Sequence, residues 1–517
     1  MEVKKKKKQR FWKEIWTMFY VNFLLFLFPL FYRNYYIDIL RAKRDFFLTT
    51  TGIFLFLYFL LIVLRNREKQ RREIFWKRKG EKKGLYIWGM VYLLGLVAGW
   101  LFSAYKEDCF WGLQGRYLGV LALGMGVCVS WVIAQNFRWN QVIAGAGMLS
   151  SSIIFLLQIL DEWKIDPLGM KRNLIEKQHR IFTSTIGNLN FNATFNCMVL
   201  GVAMVCFILC RKTYMKIVSV IWLALGFAAA FCCRSDSAFL GIGAVFLVCF
   251  WYALKQRILW MGVGIMAALF TAVSLILAFL CRFLERPSYP MEGAAQILLR
   301  SEILVFELCF IVFLYVGNRI LSGKNSVFYP YLEQIYRGVL LVAVVILIVC
   351  FYLANRAEVK IPEENWLHYF QITKYWGNNR GYVWKRSLEL FGEYSWRQKL
   401  FGCGANCFSY GFQEAFGWEV SSIKNQVFID AHSEYLQMLM TTGIVGCIGY
   451  FGMIGSTLMH SIRSLQKDEN KSALVGIGFL TAFLAQGLVN NPQIATTPFL
   501  FIGLGTIWNF LFAKNRA

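Results

Sequence analysis

Runs of about 20 apolar residues, each long enough to cross a hydrocarbon core of ~30 Å as a helix, recur along most of this chain, and a single long polar stretch, 355–432, interrupts them. Such a core holds no water to satisfy backbone N–H and C=O groups, so it admits only helices or a closed barrel. The runs are continuous rather than alternating, which selects helices over barrel strands. Hydrophobic residues make up 57% of the 517 residues and charged residues 16%, with a mean hydropathy of +0.47, which excludes a string of soluble domains. The expected fold class is all-α: a polytopic integral membrane protein of about 14 transmembrane helices with one large extracytoplasmic loop containing short helices.

The spans centre on 16–36, 46–64, 84–103, 116–134, 141–160, 188–210, 216–232, 237–254, 258–281, 297–318, 337–354, 433–460, 473–490 and 494–512. The chain then divides into four parts. Residues 1–83 hold a basic N-terminus, two spans and a basic loop, and 84–354 hold the first part of a transmembrane core. Residues 355–432 are the long loop, and 433–517 carry the C-terminal spans.

The net charge of +25 raises the question of nucleic acid, but the charges sit beside spans. Lys4 to Lys13 and Arg65 to Lys83 flank apolar runs, as cytoplasmic loops do, and suit anionic headgroups. No nucleic-acid partner is expected. With the N-terminus inside, about 31 Lys and Arg fall inside and about 15 outside, the long loop left out. This predicts cytoplasmic termini and an extracytoplasmic long loop. The first apolar run is followed by Tyr and Arg rather than a small-residue cleavage site, so it reads as a retained span.

Within the loop, Trp384, Leu388 and Phe391 stand near helical spacing with Lys385, Arg386 and Glu389 between them. Tyr382 to Tyr394 therefore reads as a short amphipathic helix lying at the membrane interface. Cys403 and Cys407 lie in the same loop, and their spacing leaves open a disulfide or two free thiols.

Four polar segments carry the candidate chemistry. Asp430-Ala-His432-Ser-Glu434-Tyr435-Leu-Gln437 ends the loop and opens a span. A neutral His432 suits removal of a proton from a sugar hydroxyl, while Asp430 or Ser433 equally suits a helix cap. Gly377-Asn-Asn-Arg380-Gly381 puts an arginine at a helix start, which fits either a phosphate or a solvated turn. Arg234-Ser-Asp236-Ser-Ala238 is a polar break between two spans, either functional or a tight turn that pairs Arg234 with Asp236. Thr185 to Ala193 includes Asn188 and Asn190, which suit sugar hydroxyls or a turn at a helix entry. Arg282, Arg286 and Arg300 flank another outer loop. Walker, zincin and nucleophile-elbow motifs are missing, so no metal and no cofactor is expected.

GNLNFNATF (187–195), CRSDSAFLGIG (233–243), GNNRGYVWKRSLELF with KLFGCGANCF (377–391, 399–408) and AHSEYLQMLMTTGIVG (431–446) follow in order. Their order and content resemble the O-antigen ligase and O-antigen polymerase superfamily of bacterial membrane glycosyltransferases. The resemblance covers roughly 185–450. It implies a glycan donor on undecaprenyl pyrophosphate, a glycan, lipid or cell-wall acceptor, and a place in the bacterial cytoplasmic membrane. It makes His432 the base, and Arg380 and Arg234 the pyrophosphate ligands. Glu434, Tyr435, Gln437, Asn188, Asn190 and Asp430 stand as supporting residues. Ser433 departs from the Asn common in that motif, and Asp236 follows the Ser-Arg-like position. Some members have about twelve spans, which leaves the first two here as a candidate extension. The motifs do not separate polymerase from ligase. A lipid-glycan flippase is the alternative from a different class. It would line a mid-membrane path with ionisable residues, whereas here these cluster at one face and in the loop.

Overall fold

The computed structural model describes residues 2–63, 83–113, 115–256, 259–284, 288–322, 329–356, 361–362, 365–422, 428–467 and 470–512. Residues 65–82 of the basic loop and Arg286 lie outside these. Among the described residues, ten helices are long and apolar enough to cross a membrane. Three shorter apolar helices, Val120–Asn136, Ser472–Gly487 and Thr497–Leu511, pack among them. Among the described residues the only strands are one two-residue hairpin, Phe182–Thr183 with Gly187–Asn188, and the regular structure is otherwise helical. This is the architecture of a polytopic membrane protein.

Lipid tails are as apolar as leucine, so helices in a bilayer associate through close packing, which small residues permit. Lys83–Phe102 lies along Glu434–Lys467 in this way. A Cβ added to Gly95 would meet the Gly446 Cα at 2.5 Å, and one on Gly449 would meet the Tyr92 N at 2.3 Å.

Helix interruptions leave backbone groups without partners, and side chains from other elements answer them. Pro29, in the last turn of Glu2–Leu30, has no N–H to offer the Leu25 carbonyl. Ser150 Oγ donates to that carbonyl at 2.7 Å. The helix end is closed by Lys43, whose buried Nζ donates to the carbonyls of Phe28, Pro29 and Phe31 at 2.8, 3.1 and 3.0 Å. Thr185 Oγ1 adds a bond to the Pro29 carbonyl at 2.8 Å.

The long helix Glu434–Lys467 breaks at Gly443, where φ is 65° and ψ −172°. The loop enters this break. Cys403 and Gly404 donate their N–H groups to the carbonyls of Met440 and Thr441, at 3.0 and 3.1 Å. A Cβ on Gly443 would lie 2.3 Å from the Phe401 N, and one on Gly402 would lie 2.3 Å from the Thr441 carbonyl. Both glycines have positive φ, so sterics and backbone conformation demand the same residue.

The loop contains the expected short helices: a 3-10 turn Trp366–Phe370, then Trp376–Glu393, Trp396–Phe401 and Phe408–Ser422. In its amphipathic helix Leu388, on the expected apolar stripe, is 56% exposed. The side buried within the protein is Tyr382, Val383, Ser387 and Leu390. Its apolar members pack on Phe408, Phe412 and Phe428 in a small core of the loop's own. Cys403 and Cys407 are not bonded to each other.

The Pro29 arrangement makes a testable coupling. Ser150→Ala is expected to destabilise the full-length protein by about 1–2 kcal/mol, the cost of a buried carbonyl left unpaired. In a Pro29→Ala background, where residue 29 regains its N–H, the same change is expected to cost less than about 0.5 kcal/mol. Denaturant unfolding of the four proteins in detergent checks this.

Candidate functional site

Asp430 is 1% exposed and sits between two partners. Its Oδ1 accepts the His432 backbone N–H at 2.9 Å and faces the His432 Nδ1 at 3.1 Å. Its Oδ2 accepts Nε and Nη2 of Arg116 at 2.9 and 2.5 Å. The cap reading of Asp430 is therefore not what the structure forms: its bonds turn the chain at His432, whose φ is 50°, rather than closing the helix that follows. The Arg116 guanidinium also lies over the Phe191 ring at 4.9 Å.

Burial alone would raise the Asp430 carboxyl, but the Arg116 and His432 charges outweigh it and hold it below the usual range. His432 is shifted down, chiefly by burial. Arg116 and Arg380 push it the same way, and Asp430 opposes them. With Asp430 Oδ1 3.1 Å from Nδ1, an ionised carboxylate favours the neutral tautomer that carries its proton on Nδ1 and leaves Nε2 as the acceptor. The His432 side chain is 26% exposed.

Arg380 lies within electrostatic range of this dyad. It follows three consecutive left-handed residues, Gly377, Asn378 and Asn379. Its Nη1 donates to the Gly377 carbonyl at 3.0 Å, and its buried Nε has no hydrogen-bond partner. Among the described residues it makes no ion pair. Burial lowers its guanidinium below the ordinary value, with Asp236 and Asp430 opposing. An underpaired cation in this setting calls for an anion.

Arg234 is placed differently. It pairs with Asp161 at 2.9 Å and Glu162 at 3.1 Å, and it lies over the Tyr289 ring at 4.4 Å. Lys171 closes the cluster on Asp161. The expected pair with Asp236 does not form, because the Asp236 Oδ1 accepts the Ala294 N–H at 2.7 Å.

The other predicted residues are structural neighbours of the dyad. Gln437 Oε1 accepts the Ala431 N–H at 2.8 Å and so braces the turn that presents His432. Glu434 is buried and accepts from Tyr450 OH at 2.6 Å. Tyr435 OH donates to the Leu484 carbonyl at 3.0 Å. Asn188 caps its own helix by accepting the Asn190 N–H at 3.0 Å, as a turn at a helix entry does. The Asn190 Oδ1 accepts from Ser235 at 2.8 Å, tying two of the motifs together.

Two contributors were missed in the sequence. Arg116 sits in a short Gly-rich turn, Gly112 to Gly119, and counted there only as one more charge outside the membrane. Asn490 is a hub, with its Nδ2 within 2.8–3.3 Å of acceptors on Asn190, Thr194, Ser237 and Gln486. The run Asn490-Asn491-Pro492-Gln493, wholly polar apart from its proline in so apolar a chain, was the available signal. A cavity beside Arg116 is lined by Asn406, Ile429, Gln437, Thr441 and Pro492. No protein-family model matches this sequence, and no curated protein matches it.

The Arg116–Asp430 pair is testable by itself. Arg116→Ala leaves a buried carboxylate unpaired and is expected to destabilise by about 3–5 kcal/mol at neutral pH. Combined with Asp430→Asn, the loss is expected to be clearly smaller than the sum of the single changes. Acid weakens the wild type as pH falls through the lowered Asp430 pKa, because that carboxylate stabilises only while ionised. Unfolding curves of the single and double variants across pH measure both effects.

Proposed function

We propose that this chain is a metal-independent membrane glycosyltransferase that polymerises or ligates glycan from an undecaprenyl-pyrophosphate donor. In this reading it has 14 spans, the ten long apolar helices, the three shorter ones and Ser301–Ser322. Both termini are cytoplasmic, and the 355–432 loop lies at the outer face of the bacterial cytoplasmic membrane. The observation that carries the proposal is the juxtaposition of a neutral His432, held by Asp430, with Arg380, which makes no ion pair among the described residues. The order of the four motifs supports it.

The chemistry follows from those groups. An acceptor sugar hydroxyl attacks the anomeric carbon of the donor glycan. His432 Nε2 takes the hydroxyl proton as the new C–O bond forms. The bond from the anomeric carbon to the pyrophosphate oxygen breaks, and lipid diphosphate leaves with both bonding electrons. Arg380 offsets the charge that grows on it. Arg116 acts through Asp430, fixing the His432 tautomer. We assign Arg234 to holding the 234–238 turn, because two carboxylates already meet its charge.

Two expectations test this. In cells, His432→Ala is expected to abolish transfer while lipid-linked donor accumulates at the outer face. Single repeat units on the carrier identify a polymerase, full-length polymer on the carrier identifies a ligase, and an unchanged glycan profile refutes both. Donor trapped inside would favour the flippase. In a purified assay, activity is expected to fall toward acid with an apparent pKa below the ordinary imidazole value of about 6.5, since only neutral His432 accepts the proton. A pH profile showing no acid limb between the His and Asp ranges would contradict the assignment of His432 as base.

A further inference from the structure

Residues 103–111 dock against residues 403–410 of the loop through several independent contacts. The rings of Tyr105 and Tyr410 stack with centroids 3.9 Å apart and planes 15° from parallel. Tyr410 OH donates to the Asp108 carboxylate. Ser103 Oγ lies 3.9 Å from Cys407 Sγ. A Cβ on Gly404 would come within 3.0 Å of Cys109 Sγ. Between these contacts Cys109 Sγ sits against Gly404 and Cys407 Sγ against Ser103 and the Tyr105 carbonyl, so the two buried thiols lie in one small pocket, close enough to interact. Cys403, the sequence neighbour that spacing offers as a partner, instead has its Sγ 3.9 Å from the Gly404 carbonyl.

We propose that Cys109 and Cys407 are a disulfide-forming pair that staples the 103–111 segment to the long loop. The two segments are held in register by the tyrosine stack and the Asp108 contact. Side-chain rotation within this docked pocket is what would bring the two neighbouring sulfurs to a bond of about 2.05 Å. Two thiols give up two protons and two electrons as the S–S bond forms. The oxidant is an extracytoplasmic protein disulfide, which accepts both and leaves as a dithiol. That oxidant is supplied only if this end of the protein faces outward, so formation in cells rests on the orientation given under the proposed function. The pairing geometry does not.

The neighbouring Cys109 thiol, together with burial, keeps the Cys407 thiol protonated well above its usual range, so the docked pair is slow to react. Exchange therefore takes place as the loop docks during folding, and the closed bond then holds the loop in place. Cys109 leads directly to the turn carrying Arg116, and the loop ends at Asp430 and His432. The staple thus fixes the two halves of the Arg116–Asp430 pair against each other.

The test uses the full chain in isolated membranes, with thiols blocked by N-ethylmaleimide in denaturant before non-reducing digestion and mass spectrometry. Parallel membranes receive diamide first. The expected result is a Cys109 peptide joined to a Cys407 peptide in untreated membranes and separated by dithiothreitol. Cys109→Ser is expected to abolish the link and Cys403→Ser to leave it. A link that forms only with diamide upholds the pairing and overturns the outward orientation. A Cys403–Cys407 link, or two alkylated thiols even after diamide, overturns the pairing.

Discussion

Every backbone N–H and C=O inside a hydrocarbon core must find its partner within the chain. An unbroken helix meets that demand by itself, and each interruption has to be answered from outside. Pro29 is answered by Ser150, with Lys43 and Thr185 closing the helix end after it. The break at Gly443 is answered by the N–H groups of Cys403 and Gly404. The second case matters most for function. It inserts the long loop into the helix that begins at Glu434, and so fixes where His432 stands relative to everything else.

Charge is constrained as severely as the backbone. A buried ion is tolerated when paired and costly when its partner is lost. Among the described residues, two clusters at the loop end of the bundle set each buried charge against an opposite one. One is Arg116 with Asp430 and His432, and the other is Arg234 with Asp161, Glu162 and Lys171. Arg380 differs: its buried Nε, like that of Arg234, has no hydrogen-bond partner, but among the described residues it also makes no ion pair. Its missing counter-charge calls for an anion, which the proposed reaction supplies as the leaving diphosphate.

The apolar runs were legible because length and continuity alone decide whether a helix suits a bilayer. The motif glycines were legible as motifs, but their reason, the contact of Gly402 and Gly443 with each other's segments, needed coordinates. The stripe of Trp384, Leu388 and Phe391 was legible, but the second face, Tyr382, Val383 and Leu390 on the loop's own core, was not, because its partners Phe408, Phe412 and Phe428 lie elsewhere in the chain. Arg234 and Asp236 are two residues apart, yet each found its partner more than fifty residues away, at Asp161 and Ala294. Arg116 was overlooked for the same reason. Its meaning comes from Asp430, 314 positions further along the chain, and no local pattern announces a contact of that range.

The central claim is that His432 takes a proton while Arg380 receives the leaving diphosphate. The most direct measurement is release of lipid diphosphate by purified full-length protein in proteoliposomes given lipid-pyrophosphate-linked glycan. The account predicts one lipid diphosphate for each new glycosidic bond, and none above background for His432→Ala or Arg380→Ala in protein that remains folded. Release by either variant at the wild-type rate would contradict it.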